Sequence, residues 1–383
     1  MFVKKMTIMK SFKLVFLLIA ITTLGGFVWS CSDNSSSDTT TDSFNREEML
    51  SNWADNIIIP SYQFFKERVD VLKATSDIFE AAPNQLNLAA LRTSWENAYK
   101  AWQNVSMFNI GPAETSFLRS YVNTYPTNTT TIENNVSSGN YNLRDINLND
   151  AQGFPALDYL LFGLGETDTE ILNVYSGING EKYLNYLTDV VDRIDTLNTE
   201  VLSDWQDNYR AIFVTNNGAS SNSSTNSLVN DWMEYYEVAF RNGKIGFPAG
   251  VFSDGSTGPE RVEAYYNNNL SKVLCLEALN AMQAFFKGEN FNNAGSGPSL
   301  ESYLDFLNTV KNGEDLSTLI NNQFDASRTA INALNNSFSE QITTNNNAML
   351  SAFEELQANV VLLKSDMFSA LSIAVEFNSG DGD

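Results

Sequence analysis

The chain has 383 residues, a formal net charge of −23 and no histidine. That length allows one large or two ordinary domains. The acidity excludes nucleic acid and adsorption to anionic lipid, both of which need basic surface, and favours solubility or the attraction of cations and metal ions. The lack of histidine excludes His-ligated zinc or haem and every His-dependent triad.

The chain opens with Lys4, Lys5, Lys10 and Lys13, an apolar run from Leu14 to Ile21, and Val28-Trp29-Ser30-Cys31. A basic start, a short apolar core and a small residue before cysteine predict a lipoprotein-type signal over 1–30, with lipid on Cys31. The apolar run is too short for a membrane span. Cleavage there removes four lysines and no acid, moving the net charge from −23 to −27. Residues 31–43 are mostly Ser, Thr, Asp and Asn and read as a flexible tether. Cys275, between Leu274 and Leu276, reads as a small buried apolar residue.

Helical spacing then dominates. Phe44 to Phe79 looks helical, with Trp53, Ile57, Phe64, Val71 and Ile78 among its apolar positions and Pro60 bending the helix or starting one. Asn87 is a candidate cap for the next helix, in which Leu88, Leu91, Trp95, Ala98, Trp102 and Val105 repeat at three and four. Gly111-Pro112 breaks it, leaving Glu114 in a new first turn. Residues 123–149 read as a short helix and a loop, and 163–180 as a connector. Helical patterns resume over Lys182–Phe213, Leu228–Arg241, Glu260–Lys287, Ser299–Val310, Leu316–Phe338 and Met349–Leu363, with a short extended piece near Leu371–Phe377. Residues 216–226 read as a surface loop, and Ser379–Asp383 as a solvated acidic tail.

The informative stretch is Gly153-Phe154-Pro155-Ala156-Leu157-Asp158-Tyr159-Leu160-Leu161-Phe162-Gly163. Pro155 suits a helix start and Gly163 a stop. Asp158 falls inside an apolar face, where a carboxylate is costly unless something pairs with it. Three kinds of partner are open: a structural hydrogen bond or helix cap; a basic residue such as Arg119, Arg144 or Arg241; or a metal ion shared with Glu114, Asp145 or Asp150, which would be a hard cation such as calcium, magnesium or ferric iron. Gly-Phe-Pro-Ala recurs at Gly246, and Arg241 and Lys244 beside these glycines could bind an anion.

The stretch resembles the imelysin family of bacterial iron-regulated lipoproteins, once grouped with metallopeptidases. The family pattern is Gly-x-His-x-x-Glu; here Gly153 matches the glycine, Pro155 stands at the histidine and Asp158 at the glutamate. Trp95 and Trp102 followed by Gly111-Pro112, and the Ser-Gly-Asp-Gly-Asp ending, are also similar to imelysins. The resemblance implies an all-α fold of two related helical bundles, placed here over 44–175 and 176–378, with Asp158 near the cleft between them. It implies a cell-envelope lipoprotein, lipid-anchored to the outer membrane, that acts as a binding component in iron or metal acquisition. Gly153, Pro155, Asp158, Glu114 and Arg241 are its candidate ligand-binding residues, and Asp158 its candidate metal ligand. Pro155 carries no donor atom, so peptidase chemistry is not expected. The expected partners are a metal ion or small ligand and an envelope protein, with the membrane reached only through the lipid. Two other readings stand beside this one: a scaffold binding a protein or glycan through the same cleft, and a metal-dependent hydrolase using carboxylates alone.

Overall fold

Helices α2 (Ile59–Ala81) and α3 (Gln85–Trp102) pack side by side, and α9 (Gly180–Asp204) lies against α2. This is a computed structural model, and it describes residues 42–291 and 295–377. The signal segment, Cys31, nearly all of the tether and the acidic tail lie outside the described residues. Those described from Ser43 onward form one compact unit. Strand is confined, among them, to a two-residue antiparallel pair, β1 (Val310–Lys311) and β2 (Glu314–Asp315), and an isolated bridge between Glu289 and Ser296. The fold is all-α.

The chain enters through α1 (Arg46–Asn52) and a π-helical segment, Trp53–Ile58, that runs directly into α2. Pro60 lies inside this continuous helix and has no N–H to give the preceding turn; the Asn56 carbonyl, four residues back, accepts the Phe291 N–H at 2.9 Å instead. The buried stripe of α2 is Tyr62, Phe65, Val69, Leu72 and Phe79, while Val71 and Ile78 are half exposed. Asn84, not Asn87, caps α3, its side chain accepting the Asn87 N–H at 3.1 Å.

The rest of this group is α4 (Pro112–Thr115), α5 (Leu118–Val122), α6 (Thr129–Ser138), α7 (Gly153–Asp158) and α8 (Asp168–Ser176). The last occupies the stretch expected to be a connector. Thr167 and Glu170 close a capping box at its start, a signal legible in Thr-x-x-Glu. The sequence expectation divides the chain at 175, yet α9 packs on α2 and α7 of the first group.

The second group comprises α10 (Arg210–Thr215), α11 (Ser224–Glu234), a long π-helical segment Tyr235–Gly246, α12 (Ser271–Lys287), α13 (Leu300–Phe306), α14 (Leu316–Asn332) and α15 (Phe338–Val360). α14 pairs with α15, α15 packs on the π segment, and α12 lies on α14 and also touches α3. Ser337 caps α15, which begins well before the expected Met349. Residues 260–270, expected as part of one helix with α12, are a single tight turn at Pro259–Arg261 and then loop. The two Gly-Phe-Pro-Ala copies differ locally. Gly153 opens α7, whereas Gly246 ends the π segment.

Candidate functional site

Gly153 adopts φ +75°, and a Cβ there would lie 2.2 Å from the Val122 carbonyl oxygen. Only glycine lets α7 start this close to the end of α5. From that start Phe154, Leu157, Leu160 and Leu161 are buried as the apolar spacing requires. Trp95 donates its indole N–H to the Phe154 carbonyl at 3.2 Å, and Tyr99 stacks on the Phe154 ring at 4.5 Å. Beyond Asp158 the helix widens into a π turn over Tyr159–Gly163. Arg92 bonds the Leu161 carbonyl twice, at 3.0 and 2.7 Å, while bridging to Asp168.

Asp158 is 2 % exposed. Its two oxygens accept backbone N–H groups from the far half of the chain, Oδ2 from Tyr266 at 2.8 Å and Oδ1 from Asn267 at 2.9 Å. Burial pushes its carboxyl up to about 7, against the pull of those two bonds. The partner is therefore a structural hydrogen-bond pair, one of the three kinds the sequence left open. The arginines are engaged elsewhere. Arg119 pairs with Asp231 at 2.9 Å, and Arg241 is buried near Glu237, over the Phe353 ring and bonded to Asn242. Arg144 is an exposed residue whose backbone carbonyl accepts the Tyr121 hydroxyl. Nor do the acids converge. Glu114 is exposed on α4, Asp145 caps the Asn147 N–H, and Asp150 faces Asn128. Among the described residues no group of three or more His, Cys, Asp or Glu side chains could hold a metal. The residues at Asp158 do not make up a metal site, since among the described residues it belongs to no group of three or more acidic or thiol side chains, and each of its oxygens already accepts one N–H donor.

Beside Asp158 lies a small cavity of about 110 Å³, walled by Pro155, Asp158, Glu260 and Tyr266. Tyr125 and Pro126 line both this cavity and a larger one of about 540 Å³. The larger cavity takes Trp102, Arg119 and Tyr125 from the first half of the chain, and Tyr235, Lys244, Phe247 and Arg261 from the second. Its wall is braced by a network the sequence did not reveal. Lys244, 3 % exposed, ion-pairs with Glu263, 2 % exposed, and donates to Gln103 at 3.0 Å. Glu263 also accepts from Gln103 at 3.2 Å and Asn123 at 2.8 Å. Burial pulls Lys244 down, but Glu263 outweighs it and holds the ammonium above the usual lysine range. Glu263 was hidden because its segment reads as helix. Asp231 had a visible signal, being an acid beside Leu228 and Trp232, the same anomaly that singles out Asp158. Arg241, named from sequence as a binding residue, does not line this cavity; its neighbour Lys244 does.

A family model described as Imelysin matches residues 58–367. The chain belongs to the imelysin family. Two solved structures share the imelysin fold with it. One is an iron-regulated protein A precursor from Parabacteroides distasonis, 18% identical, TM-score 0.67, covering 84% of this chain and 95% of that one. The other is an imelysin-like protein from Psychrobacter arcticum, 18% identical, TM-score 0.66, covering 87% and 97%. A curated relative named iron-regulated protein A, from Synechococcus elongatus, is 24% identical over 119 residues. That match spans 31% of this chain and 32% of the relative, about a third of each. Within this imelysin the motif helix carries Pro155 and Asp158 in the wall of the smaller cavity.

Proposed function

We propose that this imelysin is a non-peptidase binding component of the cell envelope, tied to iron acquisition and held at the outer membrane by lipid on Cys31. The observation that carries the binding reading is the cavity of about 540 Å³ whose walls come from both halves of the chain. It lies within the usual size range of small-ligand sites and shares Tyr125 and Pro126 with the smaller cavity beside the motif helix. The names of the relatives, iron-regulated protein A, support the link to iron. The peptidase reading finds no support. The chain has no histidine, and the remaining motif acid is spent on the backbone of residues 266 and 267. No helix among the described residues is long and apolar enough to cross a membrane.

Deleting the gene is expected to slow growth under iron limitation. The wild-type chain should restore growth, and Ala239→Trp, which fills the cavity, should not. Growth unaffected by the deletion would refute the iron link, and rescue by Ala239→Trp would refute the cleft. The scaffold reading, in which a protein or glycan partner uses the cleft, draws on Phe247 and Phe252, 43 % and 39 % exposed, which pack together at the cavity's edge with rings 4.9 Å apart.

A further inference from the structure

We infer that the large cavity takes an organic anion, a carboxylate-bearing molecule with a flat apolar body. This rests on reading the cleft as a ligand site. The chain carries a net charge of −23, yet this cavity is lined by three cations, Arg119, Lys244 and Arg261, and by no carboxylate. The acids that pair with two of these cations, Asp231 and Glu263, stand behind the wall, both nearly fully buried. Asp158 and Glu260 line only the smaller neighbouring cavity.

The cations are held but not used up. Arg119 spends Nε on the Ser106 carbonyl at 2.9 Å and Nη2 on Asp231 at 2.9 Å, leaving Nη1 without a bond among the described residues. Lys244 makes two bonds, to Gln103 and Glu263, and an ammonium has three protons to give. Arg261, half exposed, has only Glu260 near it, at 3.8 Å. The Arg119 and Lys244 donors are fixed before any ligand arrives, so little ordering of these two side chains opposes binding. The remaining wall is aromatic: Trp102, Tyr125, Tyr235 and Phe247. The Arg119 guanidinium carbon lies over the Tyr235 ring, 5.3 Å from its centre. A flat body fits these rings, and its carboxylate fits the spare Arg119 and Lys244 donors. A free cation would meet repulsion at the same place.

The test is calorimetric titration of the full chain with two probes of like shape, 1-naphthoate and its neutral counterpart 1-naphthylmethanol. Charge-assisted hydrogen bonds to a fixed cation predict about tenfold or greater preference for the naphthoate. Ser120→Glu, which sets a carboxylate in the wall, should abolish that preference, and Arg119→Lys should keep part of it where Arg119→Gln loses it. Because Arg119→Gln strands Asp231, Ser120→Glu is the deciding variant. Equal affinities for the two probes would overturn the anion assignment and leave the cleft reading standing. Naphthoate binding that survives Ser120→Glu would place the site elsewhere and overturn the assignment too. Neither probe binding also overturns it, while the cleft itself is then judged by the Ala239→Trp growth test.

Discussion

Asp158 is charged at a cost, and the sign of that cost can be measured. Its carboxyl, ordinarily near 3.8, is pushed up to about 7 by burial. Between those values the folded chain holds a proton that the unfolded chain has released. The stabilisation from Asp158 is therefore full below about pH 4 and is lost as pH rises through about 7, by on the order of 4 kcal/mol. Asp231, pushed up to about 6, acts in the same direction. Asp158→Asn isolates the first effect, because Asp231 contributes equally to both proteins and cancels in the difference. The amide keeps one acceptor and turns an NH₂ toward the other N–H, so the variant should be less stable by about 1–3 kcal/mol in acid. That deficit should shrink or reverse on going from about pH 5 to about pH 8 in urea denaturation; a constant deficit would rule out the titration. Gly153→Ala should cost about 1–3 kcal/mol from its positive φ alone, with the Val122 clash in addition. A variant melting with the wild type would show that α7 can start elsewhere. At this scale the sequence was informative where a residue contradicted its surroundings. Asp158 on a greasy face announced that it had a partner, but backbone N–H groups have no sequence signature, so Tyr266 and Asn267 could not be named.

The elements explain what was and was not legible. Helix type and rough extent follow from apolar spacing over α3, α9 and α14, where the pattern runs without interruption. The loop 262–270 was mistaken for helix because Val262, Ala264 and Leu270 are apolar and buried, yet it is held by long-range bonds. Asp158 takes its Tyr266 and Asn267 N–H groups, Lys244 and Asn123 hold Glu263, and Ser271 donates to the Glu263 carbonyl at 2.7 Å. Lys244→Met should therefore cost about 3–5 kcal/mol, since it leaves Glu263 charged and buried without its partner. Adding Glu263→Gln to that variant should recover part of the loss, because the amide can still accept from Asn123 while carrying no charge. Denaturant midpoints for the three proteins decide this, and a double variant no more stable than Lys244→Met would mean the pair is not the tie between loop and π segment.

The whole molecule joins its two groups of helices too closely for a cut in the linear order to separate them. α2 at the start of the chain is flanked by α3 and by α9, a hundred residues further on, and α12 reaches back to α3. The N-terminal residues make the same crossing. Phe44 stacks on Tyr303 with ring centres 4.1 Å apart, Asn52 bonds the Pro298 carbonyl at 3.1 Å, and the Asn56 carbonyl accepts the Phe291 N–H at 2.9 Å. A fragment ending at residue 175 would keep α2 and α3 but lose α9, leaving α2 with one wall missing. Such a fragment should be largely unfolded, because a helix gains most of its stability from packing its apolar face. Residues 43–377 together should melt in one calorimetric transition whose enthalpy matches the two-state value. Circular dichroism showing native-like helix in 43–175 alone, or two resolved transitions in the longer chain, would mean the cleft lies between independent bodies. A single transition ties the cavity's shape to the stability of both halves. Ligand binding across it should then raise that one melting temperature, with no separate shift for either group.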